Sequence, residues 1–110
     1  MKVDYKDNSK EILAALEKGK RNALTAIGAT AETYAKKATP VDTGRLRNSI
    51  SHAVDGEWVY IGSNVEYAPY VELGTSRAKA RHMLQKAATE HSAEYKRLAE
   101  DAFYNAINNI

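Results

Sequence analysis

The sequence predicts an α+β fold, with a long N-terminal helix and a long C-terminal helix packed on one face of a small antiparallel sheet centred on a β-hairpin at about residues 48–62. Two observations carry the helices and one the sheet. Apolar residues recur at steps of three and four over residues 8–38 and again over 82–107, whereas between them the period is two. The 110 residues suit one domain, expected to span residues 1–110.

In the first helix Ile12, Leu13, Leu16, Ala23, Leu24, Ile27, Ala31, Tyr34, Ala35 and Ala38 keep the helical spacing. Asn8, with Glu11 three residues on, reads as a capping box. Pro40 disfavours helical geometry at Thr39 and so ends the helix near Ala38, for a length of roughly 45 Å at 1.5 Å per residue. Gly19 and Gly28 each cost a helix interior about 1 kcal/mol. They mark a bend, a close approach of another segment, or simply tolerated glycines, the last being the simplest reading.

Residues 39–47 read as a corner. Pro40 stops the helix, Asp42 and Thr43 hold a turn through side-chain acceptance of backbone N–H groups, and Gly44 takes positive φ. Asp42 as a catalytic carboxylate is the less economical alternative. Arg45 and Arg47 are expected on an early strand, pointing to one side opposite Leu46, and pairing with acids such as Glu66 or Glu72 or contacting a neighbouring subunit.

In the hairpin, Ile50, His52 and Val54 alternate with Ser49, Ser51 and Ala53, and Asp55-Gly56 suggests a type I′ turn. That turn pairs Val54 with Glu57, His52 with Val59 and Ile50 with Ile61. Ile50, Val54, Val59 and Ile61 then face the helices, and Trp58 and Tyr60 are left on the other side, where an exposed aromatic face suggests a partner. Residues 64–75 form an aromatic connector in which Pro69 opens and Gly74 closes a short helical turn. Tyr67 and Tyr70 belong either to the interior or to an interface; seven tyrosines against one phenylalanine lean towards an interface. Residues 76–81 read as a mobile basic loop. The last helix buries Leu84, Ala87, Ala88, His91, Tyr95, Leu98, Ala102 and Phe103, and turns Glu90, Glu94, Lys96, Arg97, Glu100 and Asp101 to water.

Hydrophobic residues at 44% and charged residues at 27% match ordinary globular proteins, and a net charge of +2 implies no special partner. No apolar run approaches the ~20 residues of a membrane span, and the first residues lack the apolar core of a signal peptide, so no membrane association and a cytoplasmic origin are expected. The absence of cysteine removes disulfides, thiolate metal sites and cysteine nucleophiles. His52, His82 and His91 stand far apart without metal-binding spacing, and Glu90, His91 and Glu94 form the only local acid–histidine group, where His91 reads better as a core histidine than as a ligand. No phosphate-cradling glycine loop occurs. No enzyme, cofactor or metal is expected. Arg77, Lys79, Arg81 and Lys86 form the densest basic cluster; it could neutralise DNA phosphates without reading sequence, although a solvated loop is the commoner use of such a run.

The run from Ala38 to Ile50, reading Ala-Thr-Pro-Val-Asp-Thr-Gly-Arg-Leu-Arg-Asn-Ser-Ile, followed by a hairpin and then by Tyr-Ala-Pro-Tyr-Val-Glu-Leu-Gly-Thr over residues 67–75, resembles the tail-component or neck protein family of long-tailed bacteriophages. The likeness runs over residues 8–88, and where the family commonly carries Ala-Arg-Pro-Phe-Leu this chain has Ala80-Arg81-His82-Met83-Leu84. The resemblance implies a structural virion protein acting in head–tail joining or tail completion, in the host cytoplasm during assembly and then at the head–tail junction or tail end. It further implies a ring of like subunits around the DNA channel, usually a hexamer, with neighbouring neck or tail proteins as further partners. On that reading Arg45, Arg47, Trp58, Tyr60, Tyr67, Tyr70 and Glu72 are candidate subunit-interface residues, and Arg77, Lys79 and Arg81 a candidate channel- or DNA-facing loop. A small DNA-binding module without sequence specificity is the alternative.

Overall fold

Helix α1 runs from Ser9 to Ala38, 30 residues; α5, α4 and the hairpin pack along it, while α3 packs against α4. The computed structural model describes residues 9–41 and 44–109, so the expected cap at Asn8 and the turn residues Asp42 and Thr43 lie outside the described residues. After α1 come α2 (Arg45–Ser49), the antiparallel pair β1 (Ser51–Asp55) and β2 (Trp58–Gly62), α3 (Ala68–Leu73), α4 (Met83–Thr89) and α5 (Ser92–Asn108). The predicted α+β arrangement of two long helical segments with a two-stranded hairpin is the one observed.

The stripe on α1 is made largely of small residues. Gly19, Ala23, Gly28, Ala31 and Ala35 are buried, whereas Leu13 and Leu16 stand exposed. Both glycines turn out to be sites of close approach rather than tolerated breaks. A Cβ on Gly19 would lie 2.8 Å from Phe103 Cδ1, and one on Gly28 would lie 2.6 Å from His52 Cδ2. Small side chains on one helix let α5 and the hairpin come near its backbone, the same reason close helix contacts elsewhere favour glycine and alanine.

The corner differs from the expected early strand. Gly44 takes φ +82, as predicted, but Arg45–Ser49 then form one helical turn, with the Asn48 N–H donating to the Gly44 carbonyl at 2.9 Å. Leu46 and Ile50, four residues apart, are both buried. That helical spacing competes with the alternation of Arg45, Leu46 and Arg47, and the turn buries both side chains, Leu46 in the Met83 cluster and Ile50 beside Ala35 and Ala87.

The hairpin is also shifted from its expected register. Val54 pairs with Val59, His52 with Ile61 and Asp55 with Trp58, so Gly56 and Glu57 are the turn. Gly56 has φ +60 at the first central position, and His82 is the only non-glycine of positive φ among the described residues, which matches a type II′ rather than a type I′ turn. A slip of two residues leaves the faces unchanged. His52, Val59 and Ile61 are half-buried towards α1, but Val54 near the tip is 39% exposed.

The expected single C-terminal helix is two helices. Glu90 and His91 interrupt it, with His91 as the N-cap of α5 at φ −123. The break lets His91 stack on Tyr34 of α1, ring centroids 3.5 Å apart, with Tyr95 edge-on to it. Tyr34 donates a hydrogen bond to Glu94, and this carboxylate, more than burial, holds the phenol above its ordinary pKa. Glu94 is therefore half-buried instead of facing water, and Ala88, expected inside, is exposed. Among the described residues the largest fully buried side chains are Ile50 and Met83. Met83 packs with Leu46, Val65 and Ala68, Ile50 with Ala35 and Ala87, and Leu84 touches both groups.

Candidate assembly surfaces

The outward face of the hairpin is built from Ser51, Ala53, Asp55, Trp58 and Tyr60, alternate residues that share one side of the pleat. All five are exposed, Trp58 by 70% and Tyr60 by 53%. The other side of this two-stranded sheet is taken by α1, where His52 Nδ1 lies 3.0 Å from Glu32 Oε1. The His52 hydrogen bond is the foremost reason the Glu32 carboxyl sits below its ordinary pKa, with Lys36 adding to it. The hairpin is thus fixed from behind and bare in front.

Arg45 on α2 makes two parallel hydrogen bonds to Glu66, at 3.0 and 2.9 Å, and its guanidinium lies 5.5 Å from the centre of the Tyr67 ring. Of the two acids considered for it, Glu66 is the partner. The guanidinium holds the Glu66 carboxyl below its usual range. Arg47 is exposed. Tyr67 is half-buried against the Met83 cluster, whereas Tyr70 and Leu73 on α3 are exposed by 64% and 70%.

Glu72 has a task that its sequence position did not signal. Its carboxylate accepts the Leu84 and Gln85 N–H groups at 2.8 and 3.0 Å, so it caps the start of α4 from a distance of twelve residues. A charged acceptor on free first-turn N–H groups is a strong cap. Helix α4 begins at Met83, and His82 before it adopts φ 52 with its Nδ1 buried and unpartnered. The left-handed region is uncommon for any residue but glycine, although histidine enters it more readily than most, and the capping by Glu72 and the burial of Met83 hold His82 there.

The basic loop is braced by hydrogen bonds at both ends. The Thr75 hydroxyl accepts the N–H groups of Arg77 and Ala78, the Thr75 N–H donates to the Ala78 carbonyl at 2.8 Å, and the Arg81 N–H donates to Val71. Gly74, at φ +80, sits so tightly under this loop that a Cβ would come within 2.6 Å of the Ala80 nitrogen. Arg77, Lys79 and Arg81 are exposed, and none of them has an ion-pair partner among the described residues. Lys79 and Arg81 also border a cleft of about 290 Å³ floored by Pro40, Tyr67, Tyr70 and Val71. The sequence marked these residues individually. It did not show that they share a cleft, because Pro40 and Arg81 meet only through the fold.

Among the described residues no group of three His, Asp or Glu side chains comes together to hold a metal ion, and no helix is long and apolar enough to cross a membrane. What the surface offers is contact area: a small α+β protein with aromatic and basic patches on a thin frame. The chain belongs to the HK97-gp10-like family of bacteriophage tail components; the family model described as "Bacteriophage HK97-gp10, putative tail-component" matches residues 4–74. It is therefore a structural tail component of a phage virion. The match takes in α1, the corner, the hairpin and α3, and ends before the basic loop and the Ala80–Ala87 segment. No curated protein and no solved structure matches the chain.

Proposed function

We propose that this tail component acts in head–tail joining or tail completion, as one subunit of a ring of like subunits around the DNA channel, at the junction of head and tail or at the tail end. The observation that carries the reading is the bare outer face of the hairpin, with Trp58 and Tyr60 in water. An aromatic face fixed on a rigid helix is suited to burial against another protein. A head-to-tail contact repeated around an axis closes into a ring, and a hexamer is the usual form for proteins of this resemblance. Arg45, Arg47 and Tyr70 extend the contact surface, while Tyr67 and Glu72 support it from within. Neck or tail proteins cover the ring's two ends, and no catalytic step is needed.

The test is removal of the protein from an otherwise complete phage. DNA-filled heads and finished tails that fail to join, restored by supplying the protein, are expected. Labelled protein found along the whole tube, with joining intact in its absence, would sink the reading.

The free charges of Arg77, Lys79 and Arg81 favour a second reading, a small DNA-binding module of no sequence preference. It requires salt-sensitive binding to any duplex, with the slope of log K against log salt reduced by about 0.9 for each phosphate contact removed.

A further inference from the structure

We infer that the acidic, aromatic tip of the hairpin of one copy docks into the basic cleft beside α3 of the next copy. The inference rests on the ring reading above and names the two surfaces that make it. On the tip, Asp55 and Trp58 are directly opposed across the strands, with Tyr60 on the same face and Glu57 in the turn. These are two exposed rings with the Asp55 carboxylate beside them, while Glu57 lies 3.8 Å from Lys20 of its own chain. The cleft is the tip's complement: Pro40, Tyr67, Tyr70 and Val71 give it an apolar and aromatic lining, and Lys79 and Arg81, which also line it, have no acid partners among the described residues. Its volume of about 290 Å³ suits one aromatic side chain. Buried aromatic side chains are common anchors of binding hot spots, and complementary charges around them set partner and register.

The fold prevents a molecule from filling its own cleft. Glu57 at the tip lies 3.8 Å from Lys20, the middle of the hairpin packs at Gly28, and the cleft begins at Pro40, just past the end of α1. Twenty residues of helix separate tip and cleft by about 30 Å. Two different surfaces at a fixed distance on a rigid rod make a heterologous contact, the kind that propagates and closes. Duplex DNA fits the cleft less well. Phosphates need the two cations but gain nothing from an apolar floor. Arg77 does not line the cleft and is left for other contacts.

The chain has no cysteine, so introduced thiols are unique. Ala53→Cys lies on the tip face and Ala78→Cys on the cleft wall, and neither residue carries the proposed binding. With a short bis-maleimide at millimolar protein, a mixture of the two single variants should give a covalent dimer, and the double variant a ladder of higher species. Trp58→Ala or Arg81→Glu should weaken self-association about tenfold or more, and Asp55→Arg combined with Arg81→Glu should recover much of it, with circular dichroism confirming that each variant is folded. Four results would overturn the proposal: no cross-link at millimolar protein, cross-linking of Ala53→Cys to itself, self-association indifferent to Trp58, or an Arg81→Glu effect confined to duplex DNA binding. A protein located at the head–tail junction that gave no tip-to-cleft link would remove this docking and leave the joining role standing. A ladder from a protein dispensable for joining would do the reverse.

Discussion

Replacing Gly28 by alanine tests whether the hairpin is truly seated on the backbone of α1. By helix propensity alone the substitution is favourable, by about 1 kcal/mol. The tertiary structure reverses the sign. The new Cβ would lie 2.6 Å from His52 Cδ2, 3.2 Å from Cγ and 3.3 Å from Val59 Cγ1. The imidazole cannot simply swing away, because its Nδ1 is engaged by Glu32 at 3.0 Å. Overpacking of this kind costs about 1–3 kcal/mol, and losing the hydrogen bond adds about 1 kcal/mol. Against the propensity gain, the net expectation is a destabilisation of about 1–3 kcal/mol, read as a lower urea midpoint at unchanged slope. The decisive comparison is the same substitution in a His52→Ala background. With the ring gone only the 3.3 Å contact with Val59 Cγ1 remains, and Gly28→Ala should lose most of its cost, becoming near neutral or stabilising by up to about 1 kcal/mol. A Gly28→Ala protein more stable than its parent, or one equally damaged with and without His52, would refute the close approach.

Three further outcomes are expected. The Glu32 carboxyl has a folded pKa below its unfolded value, chiefly through His52, so its contribution is fully present above the ordinary carboxylate range and is lost as pH falls below it; Glu32→Gln should flatten the fall in urea midpoint between about pH 7 and about pH 3, and an unchanged profile counts against the pairing. Met83 is fully buried, and Met83→Ala should cost about 2–5 kcal/mol, enough to threaten so thin a core, as measured by thermal unfolding. Glu72→Ala removes the remote cap of α4 and should cost about 0.5–2 kcal/mol, with faster amide exchange at Leu84 and Gln85 than in the parent; protection that stays unchanged would deny the cap its role.

The two long helical stretches and the alternating hairpin were legible in the sequence, because those patterns are local. The three- and four-residue steps of α1, Pro40 after its end, Gly44 in the left-handed region and the Pro69-to-Gly74 turn were all legible in order. So was the bare aromatic face, since alternation fixes that Trp58 and Tyr60 share a side whichever of two registers the hairpin takes. The helical turn at Arg45–Ser49 was harder to see, as Leu46 serves a strand or a helix equally until Ile50 is counted as its partner. The break at Glu90 and His91 had no local cause strong enough to predict, for it answers to Tyr34 some sixty residues away.

Features that depend on the distance between remote segments came from the packing alone. Gly19 and Gly28 became contact points when Phe103 and His52 arrived, and Glu72 became a cap when α4 was laid against it. The basic residues of the loop gained an apolar floor when α3 and the end of α1 met beneath them. Periodicity reports which side of a segment is apolar. It carries no information on what that side will touch, because the identity of the neighbour is set by how the segments pack together.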